Sequence, residues 1–103
     1  MIEELIPYGK ANAVSRKWLA GATGMTDREA RREISKAREE RRVVILSRSD
    51  GAGYYRPLPE DADELNLFIR REKARALSIL KGLTAAKRLQ KELNERVGEQ
   101  DGN

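Results

Sequence analysis

Residues 26–42, TDREARREISKAREERR, constrain the fold more tightly than any other stretch of the chain. Thr26 and Asp27 open it, and Glu29 stands three places after the hydroxyl. That is capping-box spacing: the Thr26 hydroxyl takes the amide of Glu29, and the Glu29 carboxylate reaches back to the Thr26 amide. Ala30, Ile34, Ala37 and the aliphatic stem of Arg41 then recur at helical spacing. Only one thin face of such a helix finds cover. Arg28, Arg32, Ser35 and Lys36 fall on the opposite side, with Arg31 on its flank. Alone, the segment fits a solvated surface helix as well as a helix offering a cationic face to a partner. Its surroundings decide between the two.

Upstream, Ser15 is a good N-cap for SRKWLAGATG, where Trp18, Leu19 and Ala22 share a face. Gly24 stands where a helix ends in the left-handed conformation, and Met25 is placed to staple onto Ala30. A short helix, a glycine turn and a capped second helix make a helix-turn-helix layout. Downstream, Val43, Val44, Ile45 and Leu46 form a strand-length run, followed by the turn SRSDGAG with its Asp50-Gly51 hairpin signal. Tyr54, Tyr55 and Arg56 return as a second strand, closed by Pro57 and Pro59. Before the helices, Ile2, Leu5 and Ile6 form a short amphipathic turn cut off by Pro7 and Gly9. Residues 10–14 read as a short strand.

Apolar residues make up 39% of the 103 and charged residues 37%, enough for one small domain and an appendage. The chain has no cysteine and no histidine, so disulfides, thiolate metal sites and the commonest general base are missing. An enzyme is not expected, nor a cofactor, a metal site or a small-molecule ligand. No apolar run is long enough to span a bilayer and no secretory signal is visible, so a soluble, cytoplasmic protein is expected. The net charge of +4 is unevenly spread. Residues 10–48 carry 11 basic and 5 acidic side chains, and residues 70–91 carry 8 basic and 1 acidic. Glu60, Asp61, Asp63 and Glu64 form an acidic hinge between them.

From residue 60 to residue 97 there is no proline and a single glycine, Gly82. The segment reads as one helix on the order of 55 Å long. On a heptad, Ile69, Ala76, Leu83, Gln90 and Val97 share one core position, and Glu72, Ile79, Ala86 and Leu93 the other. Leu65, Phe68, Leu80 and Leu89 broaden the stripe. The helix is expected to pack on the preceding domain near residues 65–69. Beyond about Ala76 it is expected to pair with another helix, making a homodimer through residues 65–97, parallel or antiparallel. Residues 1–59 then form one domain, 60–97 the long helix and 98–103 a disordered tail.

Asn12-Ala13-Val14-Ser15 leading into Leu19, Gly24-Met25-Thr26, Val44-Ile45-Leu46-Ser47 and Gly53-Tyr54-Tyr55 before Pro57 resemble one known pattern. It is the winged helix-turn-helix domain of the kind found at the N-terminus of the biotin operon repressor. The likeness is closer still to small DNA-binding proteins of phages and prophages, and it covers roughly half the chain. The short N-terminal segment departs from it, since winged helices usually begin with a full helix. The resulting expectation is a mainly α fold with a small β-hairpin, a winged helix-turn-helix followed by a long C-terminal helix.

The resemblance implies double-stranded DNA as partner, bound in a sequence-specific way, in transcription regulation or replication initiation. Arg28, Arg31, Arg32, Ser35 and Lys36 would face the major groove, where arginine pairs bidentately with guanine. Thr26 and Asp27 sit at a helix N-terminus suited to phosphate. Lys10, Arg16 and Lys17 would meet the backbone, and Arg48, Ser49 and Arg56 would act from the wing. Glu33, Glu39 and Glu40 repel phosphate and are expected on the flank or the distal end. Tyr54 and Tyr55 are assigned to wing packing. The run 70–91 is taken chiefly to keep an exposed helix in water, with an extended DNA footprint as the alternative. A protein–protein adaptor built on the same fold is the competing class, because fold does not fix function.

Overall fold

The computed structural model describes the backbone of residues 1–101 and the side chains through Val97. The elements run α1 (Arg16–Thr23), α2 (Asp27–Glu39), β1 (Leu46–Ser47), β2 (Tyr54–Tyr55) and α3 (Ala62–Asp101). Short 3-10 turns lie at Ile2–Leu5, Lys10–Asn12 and Pro59–Asp61. The architecture is thus mainly α, with a two-stranded antiparallel hairpin and a long C-terminal helix. The chain divides into two units, Met1–Phe68 and Ile69–Asn103.

Local chemistry accounts for the α1–α2 pair. The Ser15 hydroxyl accepts the Trp18 amide at 3.0 Å and the Thr26 hydroxyl accepts the Glu29 amide at 3.1 Å, so both helices start on their expected caps. The Glu29 carboxylate reaches back to the Thr26 hydroxyl, at 3.2 Å, where the sequence pointed to the amide. Gly24 ends α1 with φ 74°, a conformation glycine adopts without the Cβ penalty. Leu19 from α1 and Ala30, Ile34 and Ala37 from α2 meet in the core of the first unit.

The first residues complete that core. Ile2 and Ile6 are buried with Leu19 and Ile34, and the turn that carries them packs on both helices. Leu5 is exposed, although a 3-10 turn brings it onto the same line as the buried Ile2 three residues earlier. Glu3 is buried beside them. Its carboxylate accepts from Arg41 Nε at 2.5 Å, and Arg41 Nη2 lies 3.8 Å from Glu33 Oε2. Arg41 lies beyond α2, in the turn where Arg42 takes a positive φ of 56° and the Val43 amide returns to the Ala37 carbonyl. It therefore does not extend the apolar stripe of the helix.

The hairpin is shorter than its sequence. Leu46 pairs with Tyr55 and Ser47 with Tyr54, while Val43, Val44 and Ile45 lie outside the strand. Ile45 is buried and Val44 exposed, so the run feeds the core from an irregular connection. On its other side Tyr54 exchanges two backbone hydrogen bonds with Val14, at 2.7 and 3.0 Å. The expected strand at 10–14 is thus a 3-10 turn that ends in this single bridge.

Asp61 is buried and its Oδ2 accepts the amides of Leu58 at 2.9 Å and Lys10 at 3.3 Å, fixing the start of α3 in the first unit. Leu65 and Phe68 are half-buried, whereas Ile69 is exposed, so the packing expected over 65–69 stops at Phe68. The second unit is the remainder of α3, whose side chains through Val97 are all exposed. The helix continues through residues 98–101, where a disordered tail was expected. Gly102 and Asn103 lie outside the described residues. Among the described residues no helix is long and apolar enough to cross a membrane.

Candidate nucleic-acid interface

The buried line Ala30, Ile34 and Ala37 fixes the rotation of α2. At 100° per residue the direction facing away from it passes through Arg28, Arg32 and Ser35, with Lys36 and Arg31 to either side. All five side chains are exposed. Arg28 and Arg32 have no ion pair or hydrogen bond among the described residues. Arg31 stands 3.7 Å from Asp27, and Lys36 lies 3.6 Å from Glu33. Glu33 is half-buried on the flank. Glu39 falls on the outward direction too, but in the last turn, a full helix length from Arg28.

Most other basic residues of the first unit are engaged. Lys10 Nζ meets Glu64 Oε1 at 3.1 Å, and its hydrogen bond holds the Glu64 carboxyl below the usual carboxylate range. Arg56 donates from Nε to the Ile6 carbonyl at 2.8 Å and lies 4.1 Å above the Tyr8 ring centre. Arg38 donates twice to the Ile45 carbonyl, at 2.7 and 3.0 Å, tying α2 to the run before β1. Arg48 grips Asp50 with two nitrogens, at 2.6 and 3.1 Å, and also donates to the Lys10 carbonyl at 3.4 Å. The Asp50 carboxyl is held low first by the Ala52 amide and then by Arg48. Ser49 is exposed at the hairpin tip.

Arg16 joins the two helices. Its Nε is 2.5 Å from Asp27 Oδ1 and its Nη1 donates to the Tyr54 hydroxyl at 3.2 Å. The bond to Asp27 holds that carboxyl below its ordinary range and raises the guanidinium. Asp27 thus acts inward on Arg16, and Thr26 is occupied as a cap. Tyr54 also lies beneath Arg38, 5.9 Å from ring centre to guanidinium carbon, while Tyr55 is buried and pairs with Leu46 of β1.

A cleft of about 350 Å³ gathers several of these residues. Arg16 and Lys17 from α1, Asp27 from α2, and Ser47, Arg48 and Tyr54 from the hairpin line it. The fold therefore brings the start of both helices and the hairpin to one cleft. It separates Lys10 and Arg56 into structural pairs. Arg38 and Arg42 were not singled out from the sequence. Arg38 sits among the charges of α2, and its bonds to the Ile45 carbonyl show its structural role, while Arg42 is exposed at a positive φ.

Comparison with protein-family models, with curated proteins and with solved structures finds no match.

Proposed function

We propose that the chain is a double-stranded DNA-binding protein of winged helix-turn-helix type that places α2 in the major groove. One observation carries this reading. The first unit commits Lys10, Arg16, Arg41, Arg48 and Arg56 to internal partners, yet leaves Arg28 and Arg32 exposed and unpaired one turn apart on the outward line of α2. An α-helix fits the major groove, and two guanidiniums about 6 Å apart along it suit adjacent base edges or a base and a phosphate, at about 1.5 Å rise per residue. Lys17 and the exposed hairpin tip border the same cleft as the start of α2, where they would meet the sugar–phosphate backbone.

The exposed stripe of α3 supports a dimer. Ile79, Leu83, Leu93 and Val97 are each roughly half exposed and recur in a seven-residue frame, the pattern a second copy of the same helix covers. A dimer would read a site with two-fold symmetry. Such a protein belongs in a bacterial cytoplasm, in transcription regulation or replication initiation of the phage or prophage kind that the sequence resembles. An adaptor that uses α3 without binding DNA is the second reading, favoured by the same exposed stripe.

Selection of bound duplexes from a random pool tests the proposal. Enrichment of a palindrome is the expected result, with half-sites spaced by the dimer. Failure to enrich any sequence would remove sequence-specific binding, and failure to retain duplex at low salt would leave the adaptor.

A further inference from the structure

The exposed stretch 70–91 of α3 shows an excess of one sign that keeping a helix in water does not require, with eight basic side chains to one acid. In the seven-residue frame, Arg70, Leu77, Thr84 and Lys91 share one position. Lys81 and Arg88 occupy the position beside it, Lys73 and Lys87 lie between the Arg70 position and the apolar seam, and Arg71 and Arg75 lie on the far flank. Every one of these residues is exposed. No acid falls on this line between Arg70 and Lys91. The single acid of the stretch, Glu72, lies on the apolar side and is 3.6 Å from Arg75. A helix kept soluble by charge commonly mixes signs in pairs three and four residues apart, because those pairs add helix stability. Here nearly every charge from residue 70 to residue 91 has one sign, at a cost in mutual repulsion. The line also stays outside any pairing through Ile79, Leu83, Leu93 and Val97, so dimer formation would not cover it.

We infer that Arg70, Lys73, Lys81, Arg88 and Lys91 form a second duplex-binding track, one that engages phosphates without reading bases. The inference rests on duplex DNA being the partner, and it adds a surface distinct from α2. From Arg70 to Lys91 the line extends about 32 Å, close to one turn of B-form DNA. Lysine ammoniums make up three of the five groups, and they act on phosphate as point charges rather than as planar forks. The track therefore contributes affinity and salt dependence, whereas α2 contributes sequence preference.

The test compares the intact chain with Lys81→Gln/Arg88→Gln/Lys91→Gln and with Arg28→Ala/Arg32→Ala, on a random-sequence duplex of about 30 base pairs across a salt series. Glutamine keeps helix propensity, and circular dichroism with sedimentation confirms unchanged helix content and assembly. The α3 substitutions are expected to weaken random-duplex binding at least tenfold at low salt. They should also flatten the slope of log affinity against log salt by about 2.7 per chain, at roughly 0.9 for each phosphate no longer neutralised. Preference for a selected site over the random duplex should not move. An unchanged affinity and slope would overturn the track, and the α2 reading would stand if Arg28→Ala/Arg32→Ala still removed site preference. Loss with the α3 substitutions alone would support the track and sink the α2 reading. Loss of binding to phosphatidylserine vesicles, with duplex binding intact, would overturn the track in favour of a membrane surface. Wild-type protein that binds no duplex would overturn both.

Discussion

Arg16 Nε lies 2.5 Å from Asp27 Oδ1, so the first residue of α1 holds the first residue of α2. The two helices meet in the core through Leu19, Ala30 and Ile34, and this pair ties the start of α2 to Tyr54 and the hairpin. Because the folded Asp27 carboxyl is held below its ordinary value, the link is present above about pH 4 and is lost as pH falls through that lower value. The pair is exposed, so Asp27→Asn should lower Tm only slightly, on the order of a few degrees at about pH 7. The difference from wild type should vanish in strong acid. Thermal melts of both proteins across pH check it, and a gap that widens below about pH 4 would contradict it.

Gly53 separates two kinds of turn glycine. A Cβ there, at φ 134°, would overlap the Val14 carbonyl, whereas at Gly51, φ 77°, nothing lies within 4 Å. Gly53→Ala should therefore destabilise by more than about 2 kcal/mol, through strain and the loss of the Val14–Tyr54 bridge. Gly51→Ala should cost about 1–2 kcal/mol, from the left-handed backbone alone. Urea unfolding of the two variants gives the comparison, and equal losses would be evidence against the bridge.

The Glu3–Arg41 pair predicts an acid limb in stability. Arg41 holds the buried Glu3 carboxyl low, against the opposing effect of burial. Its stabilising effect is complete above the ordinary glutamate value and disappears as pH drops through the folded value. Arg41→Ala would leave Glu3 without its partner in the core, a loss of about 1–3 kcal/mol for the orphaned carboxylate. Denaturant midpoints from about pH 7 to about pH 3 should fall for wild type and fall less for Glu3→Gln.

The proposed assembly through α3 predicts that wild type sediments as a dimer at tens of micromolar and that Leu83→Glu/Leu93→Glu sediments as a monomer. Trp18 and the core residues lie in the first unit, so its fluorescence unfolding transition should persist. A wild-type monomer at tens of micromolar would remove the dimer.

What could be read directly from the chain was local. Ser15, Gly24, Thr26 and Glu29 act on neighbours three or four residues away, and their roles follow from spacing. The rest depended on distant partners. Lys10 meets Glu64 across 54 positions, and Arg56 meets the Ile6 carbonyl across 50. Neither pairing leaves a periodic trace, so both cations looked free for DNA. The run at Val43 looked like a strand because its composition is β-branched. The positive φ at Arg42 and the return of the Val43 amide to Ala37 keep it out of the ladder until Leu46. The core contribution of Ile2 and Ile6 was half legible: the apolar spacing was visible, but not that Ile2 and Ile6 would be buried and Leu5 left exposed.

The exposed, unpaired pair Arg28 and Arg32 is tested most directly by fluorescence anisotropy on a selected duplex at two salt concentrations, with wild type and Arg28→Ala/Arg32→Ala. Both side chains are on the solvent side of α2, so the variant should fold with unchanged Tm. Its affinity for the selected site should fall by about 2–6 kcal/mol, at about 1–3 for each bidentate pairing, with the site preference relaxed. Equal affinity and equal preference in wild type and variant would contradict the assignment of α2 as the reading helix.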